Sequence, residues 1–278
     1  MVKHKTYHTA PDCLVLQGGA RRAVFSLGFL QSARPALQEV NLIAAVSSGV
    51  AVACAHLLDR HEEAFELCLD AARDFRNGFS IGKWFRGQRP TQHFASYRAL
   101  VNRLVTVPRW QELHRHPTRL RILIGLSPGR SRLVAGALAF TAFRLRRSVP
   151  GLTPYVIEAQ QCHQRDEFIN AMLASAAVPI ACPLPLIADR VAVDGSTITP
   201  IPLCAAEGSL RPLLVLTQLP PPRPIPSHLQ RVAPDNDLTH SAWDLGNEQG
   251  LRSLYEQGLM AGQRYARTNT MPDSSAPH

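Results

Sequence analysis

Leu42-Ile43-Ala44-Ala45-Val46-Ser47-Ser48-Gly49-Val50 passes from an unbroken apolar run into a helix-forming segment with almost no intervening turn. The apolar run reads as a strand buried on both faces, which belongs in a parallel sheet covered by helices. The change of direction at Ser47 is sharp. Such an elbow needs small residues two before and two after its apex, because backbone passes close by there. Ala45 and Gly49 occupy those places around Ser47; Val46 and Val50 occupy them around Ser48. The register therefore selects Ser47.

The same grammar recurs upstream. Leu14-Val15-Leu16-Gln17-Gly18-Gly19-Ala20-Arg21-Arg22-Ala23 reads as strand, glycine turn and helix. Strand 13–17, helix 23–37, strand 41–46 and helix 48–58 thus make a β-α-β-α opening. Far downstream, Arg190-Val191-Ala192-Val193-Asp194-Gly195-Ser196 ends a short strand on an acid followed by glycine.

Each piece carries chemistry. A serine hydroxyl is a weak nucleophile until it is presented and deprotonated. Ser47 is presented by its elbow, and the helix starting at Ser48 favours negative charge at its N-terminus. Free N–H groups of the Gly18-Gly19 turn can stabilise an oxyanion, and Arg22 adds a fixed positive charge. Asp194 is the candidate base; a carboxylate acting without histidine needs desolvation to raise its basicity. The expected reaction class is acyl transfer by serine hydrolysis.

In this order the pieces resemble the patatin-like phospholipase family. That family pairs a glycine-rich oxyanion turn and an arginine with a G-x-S-x-G elbow and an Asp-Gly-Gly or Asp-Gly-Ala motif. The likeness runs over about residues 12–218, including the Ala171–Pro179 segment, rich in alanine and serine, and Thr199-Pro200-Ile201-Pro202. The resemblance implies a three-layer α/β sandwich with a central, mostly parallel sheet and helices on both faces. It also implies a Ser47–Asp194 dyad and an oxyanion site from Gly18, Gly19, Ala20, Arg22 and Ser48. No metal or cofactor is implied, and the substrate is a phospholipid or other acyl lipid. The chain departs from the pattern at Ala20, Ala23 and Ala45, where the family has glycine, and at Ser196. Those departures keep open a second reading, a lipid-binding module that retains the fold with little or no catalysis. An ordinary Ser-Asp-His hydrolase would need His228 or His240, neither of which follows a convincing strand. Nucleotide binding lacks both the G-x-G-x-x-G and the Gly-Lys-Ser/Thr loop.

Composition sets outer bounds. The 278 residues are 45% hydrophobic and 18% charged, sufficient for one large α/β domain. Net charge is +9, nearly all of it arginine, since the only lysines are Lys3, Lys5 and Lys83. Arginine suits phosphate recognition. No nucleic-acid-binding signature is present, so peripheral contact with an anionic membrane is the expected use of that charge, against arginine-rich codon usage as the plain alternative. The cysteines, at 13, 54, 68, 162, 182 and 204, form no C-x-x-C pair and read as buried hydrophobes of a reducing compartment. No signal peptide is apparent, which points to the cytoplasm.

The expected organisation is a flexible start over 1–11, an acyl hydrolase domain over 12–219, a Pro-rich polar connection over 220–246, and a C-terminal helix and tail over 247–278. Further helices are expected at 61–75, 94–105 and 166–177, and strands at 119–126, 155–159, 191–193 and 211–219. Residues 76–90, with Gly78, Trp84 and Phe85, have the composition of a lid or membrane-touching loop, or of a packed surface turn. Residues 131–147 form a helix with an apolar middle between Arg130, Arg132, Arg144, Arg146 and Arg147. It reads equally as an interfacial membrane helix or as a core helix with snorkelling arginines.

Overall fold

The computed structural model describes residues 10–74, 93–145, 147–179, 181–218, 221, 225–235 and 247–270. The strands are β1 (Cys13–Leu16), β2 (Leu42–Val46), β3 (Arg119–Leu126), β4 (Thr153–Glu158), β5 (Leu186–Ile187), β6 (Arg190–Asp194), β7 (Pro212–Val215) and β8 (Gln230–Val232). The helices are α1 (Ala23–Ala33), α2 (Ser48–Leu57), α3 (His61–Asp74), α4 (His93–Leu104), α5 (Val107–Arg115), α6 (Arg132–Leu145), α7 (Arg165–Ser175) and α8 (Glu248–Thr270).

The sheet order is β5-β6-β3-β2-β1-β7-β8, with β4 also pairing β3. β3, β2, β1, β7 and β8 run parallel; β4 and β6 are antiparallel to β3, and β5 to β6. Alternation along the strands decides what each face meets. Leu14, Leu16, Ile43, Ala45, Ile122 and Ile124 point into the largest apolar cluster, shared with α1, α2, α3 and α8. Cys13, Val15, Leu42 and Ala44 point the other way, onto the 3-10 turn Leu203–Ala206. Val191 and Val193 of β6 also face that second side, where Ala135, Ala139 and Ala142 of α6 cover them. The result is the expected three-layer α/β sandwich, with the thicker helical layer on one face.

α1 is apolar almost all round because it lies between the sheet and α8, whose backbone approaches it at Gly28 and Gly258. It ends at Ala33, four residues short of the expected Leu37. Pro35 cannot continue an α-helix, so the chain closes with the 3-10 turn Arg34–Ala36. Two short strands, β5 and β8, and the polar helix α5 were not legible in the sequence. β8 falls inside the stretch taken as connection. The candidate lid at 76–90 lies outside the described residues, as do His240 and most of the proline run.

Candidate active site

β3 brings the two halves of the site together. Val46, the last residue of β2, is the partner of Leu123. Asp194, the last residue of β6, is the partner of Ile124, the very next position. β4 occupies the opposite edge of β3 across residues 121–126. β2 and β6 therefore share one edge and meet end to end, C-terminus against C-terminus. Ser47 and Asp194 are the residues left at that junction.

Ser47 Oγ donates to Asp194 Oδ2 at 2.9 Å. Ser47 has φ 55° and ψ −131°, a left-handed conformation that costs a β-carbon-bearing residue about 1–3 kcal/mol. Two contacts hold it. Its N–H donates to Ser175 Oγ at 2.8 Å, and Ser175 Oγ donates in turn to the Leu123 carbonyl at 2.7 Å. Tyr97 reaches the Ser47 carbonyl from α4 at 3.5 Å.

Asp194 is held as firmly. The N–H of Ser196 donates to Oδ1 at 2.7 Å, and Thr197 Oγ1 donates to the Asp194 carbonyl at 2.7 Å. Between them, Gly195 has no room for a side chain, since a β-carbon there would stand 2.3 Å from the Leu123 carbonyl oxygen. The carboxyl is buried, and burial pushes its pKa up from 3.8 to about 6, against the bonds from Ser196 and Ser47, which lower it. A buried carboxylate in direct contact with a hydroxyl can take its proton. No imidazole stands between them, and His228 is exposed.

The glycine turn closes the third side. A β-carbon on Gly18 would be 3.0 Å from both Ser47 Cβ and Ser196 Oγ, so only glycine lets this strand end lie against both. Thr217, just past β7, fixes the turn by donating to the Gly18 carbonyl at 2.8 Å. Ala20 begins the 3-10 turn Ala20–Arg22 with φ 49°, again left-handed. The Arg22 side chain donates to Gln218 Oε1. Ser48 is the first residue of α2, whose leading N–H groups have no acceptor within the helix.

An apolar cavity of about 120 Å³ opens beside these groups, lined by Ala20, Ser48, Ala51, Cys68, Tyr97 and Leu100 among others. The turn residue Ala20 and the helix start Ser48, which follows Ser47 directly, thus both line an apolar pocket between helices.

A family model described as patatin-like phospholipase matches residues 14–206. The chain belongs to this family. The match starts in β1 and ends with the 3-10 turn after the Asp194 loop, so it takes in the glycine turn, Ser47 and Asp194 but stops short of β7, Thr217 and Gln218. The patatin-like family is one of hydrolases, and it suggests lipid acyl hydrolase activity. A search of curated proteins finds no match.

Sequence reasoning named Gly18, Gly19, Ala20, Arg22, Ser47, Ser48 and Asp194, and missed Ser175, Thr217 and Tyr97. Ser175 had a signal, as a polar residue at the end of an otherwise apolar buried helix run. Thr217 and Tyr97 had none, because each acts by a contact between elements distant in sequence.

Proposed function

We propose that the chain is a lipid acyl hydrolase of the phospholipase A or lysophospholipase type, working through a Ser47–Asp194 dyad. The observation that carries this reading is the 2.9 Å hydrogen bond from Ser47 Oγ to a buried carboxylate with a raised pKa. Ser47 Oγ attacks the ester carbonyl as Asp194 takes its proton. The oxyanion so formed accepts hydrogen bonds from the N–H groups of Gly19, Ala20 and Ser48, and Arg22 favours its charge. The tetrahedral intermediate collapses as Asp194 returns the proton to the leaving alcohol. Water then gives a proton to Asp194 and attacks the acyl-serine, and collapse releases the fatty acid as Asp194 returns that proton to Ser47 Oγ. The cavity behind Ala20 and Ser48 takes the acyl chain, which explains its apolar lining.

The test is labelling by a fluorophosphonate probe. Wild type should be labelled at Ser47, with labelling lost in Ser47→Ala and strongly reduced in Asp194→Asn. A folded wild type that takes no label would favour the lipid-binding module instead.

A further inference from the structure

The arginine-flanked helix was readable as core or as membrane contact. The structure decides against core. α6 buries only Ala135, Ala139 and Ala142. Leu133 is 88% exposed and Phe140 55%, and Val134, Phe143 and Leu145 are exposed as well. Leu133, Ala137, Phe140 and Arg144 recur at i, i+4, i+7 and i+11, one continuous stripe opposite the buried alanines. Scattered exposed apolar residues are ordinary, but five large ones on one helix of 14 residues are not.

The surrounding charge is of one sign. Arg130, Arg132, Arg144 and Arg147 flank the apolar stretch and are exposed. There is no acidic residue between Glu112 and Glu158. Asp189, paired with Arg130, lies at one end only. A second copy of a chain with net charge +9 would bring cations against cations. A bilayer carrying anionic headgroups offers an apolar layer to the stripe and phosphates to the arginines. No helix among the described residues is long and apolar enough to cross a membrane. α6 would therefore lie along the surface.

Its place in the fold gives such contact a use. The buried alanines of α6 pack in one cluster with Val193 and Ile198, the residues on either side of the loop that carries Asp194. We infer that α6 docks the protein on an anionic lipid surface through Leu133, Phe140 and their apolar neighbours, with Arg144 and Arg147 on headgroup phosphates. Docking there brings the protein to the surface where the lipid esters of the reading above are found, with α6 lying between the bilayer and the acid loop packed on its buried face, and the inference rests on that reading only for its purpose.

The experiment uses the full chain carrying Ser47→Ala, so that binding is read without hydrolysis. It is sedimented with vesicles of phosphatidylcholine alone or of phosphatidylcholine with phosphatidylglycerol. Binding should prefer the anionic vesicles and weaken with salt. Leu133→Ser with Phe140→Ser should reduce it about tenfold or more, and Arg144→Gln with Arg147→Gln should remove the preference for anionic lipid. With Ser47 intact, the same substitutions should leave hydrolysis of a short water-soluble ester within about twofold of wild type, which shows that the fold and site survive. Undiminished vesicle binding by both pairs of variants would overturn the inference. So would a change from dimer to monomer on substituting the stripe, which would make the face an interface between copies. If the soluble ester is not cleaved by wild type while vesicle binding still depends on α6, the catalytic reading fails and the docking surface stands.

Discussion

The backbone N–H of Ser47 is bound by the side chain of Ser175, 128 residues further along the chain, at 2.8 Å. The same hydroxyl bonds the carbonyl of Leu123, so α7 clamps the serine turn to β3. Ser175→Ala leaves two buried backbone groups without that partner, at a cost of about 1–3 kcal/mol. A lower denaturation midpoint together with a reduced kcat at near-constant KM is expected. Equal loss of binding and turnover would mean that Ser175 does not position the elbow.

Ser47→Ala and Asp194→Asn should each lower ester hydrolysis by about a thousandfold or more, within the range that general-base and nucleophile removal produce. Both side chains end at a junction held by backbone contacts, so circular dichroism should show an intact fold. Steady-state assay on a p-nitrophenyl ester checks this. If Asp194→Asn keeps most of its activity while His228→Ala loses it, the dyad is wrong.

In the proposed mechanism Asp194 works as a base, which it can do only when ionised. With its pKa pushed to about 6 by burial, activity should rise with pH through about 6 and level off above it. Stability should move the other way. The folded state holds this proton more tightly than the unfolded chain, so the contribution is present below pH 3.8 and is lost as pH rises through 6. That interval is worth roughly 3 kcal/mol. Asp194→Asn should therefore gain stability relative to wild type between pH 4 and pH 7, as read by denaturant midpoints at the two values.

Ala20 adopts φ 49°, which costs its β-carbon about 1–2 kcal/mol that glycine would not bear. Glycine adds about 0.5–1 kcal/mol of unfolded-chain entropy. Ala20→Gly should be stabilising by up to about 1 kcal/mol, with hydrolysis retained or improved. A loss of activity would show that the β-carbon itself shapes the oxyanion turn.

Ala51 lines the apolar cavity one helical turn beyond Ser47. Ala51→Leu should shorten the space for an acyl chain, lowering kcat/KM for long-chain esters about tenfold while short esters are little affected. A uniform fall across chain lengths would place the acyl chain elsewhere.

Much of this was legible in the sequence, and the limits have physical causes. The strands 13–16 and 42–46 announced themselves because strands buried on both faces are apolar without interruption. Glycines 18, 49 and 195 and the small Ala45 marked the turns. β5 and β8 are two and three residues long, so they leave little or no periodic trace. The antiparallel entry of β6, on which the meeting of Ser47 and Asp194 depends, is a property of its pairing with β3, a strand distant in sequence, that no local pattern encodes. Burial of α6 was undecidable for a similar reason. Its alanines and its large apolar residues alternate around the helix, and only packing reveals which stripe faces inward.

The end-to-end meeting of β2 and β6 also orders events in time. During synthesis the serine emerges 147 residues before the acid, an interval of roughly 10–30 s at ordinary ribosomal speed. Through that interval the elbow is complete in sequence but lacks the carboxylate to which Ser47 Oγ donates in the folded chain. On the proposed mechanism, reactivity toward an ester begins only when the far strand closes on the edge of β3, so a truncated or half-folded product would carry no activated serine.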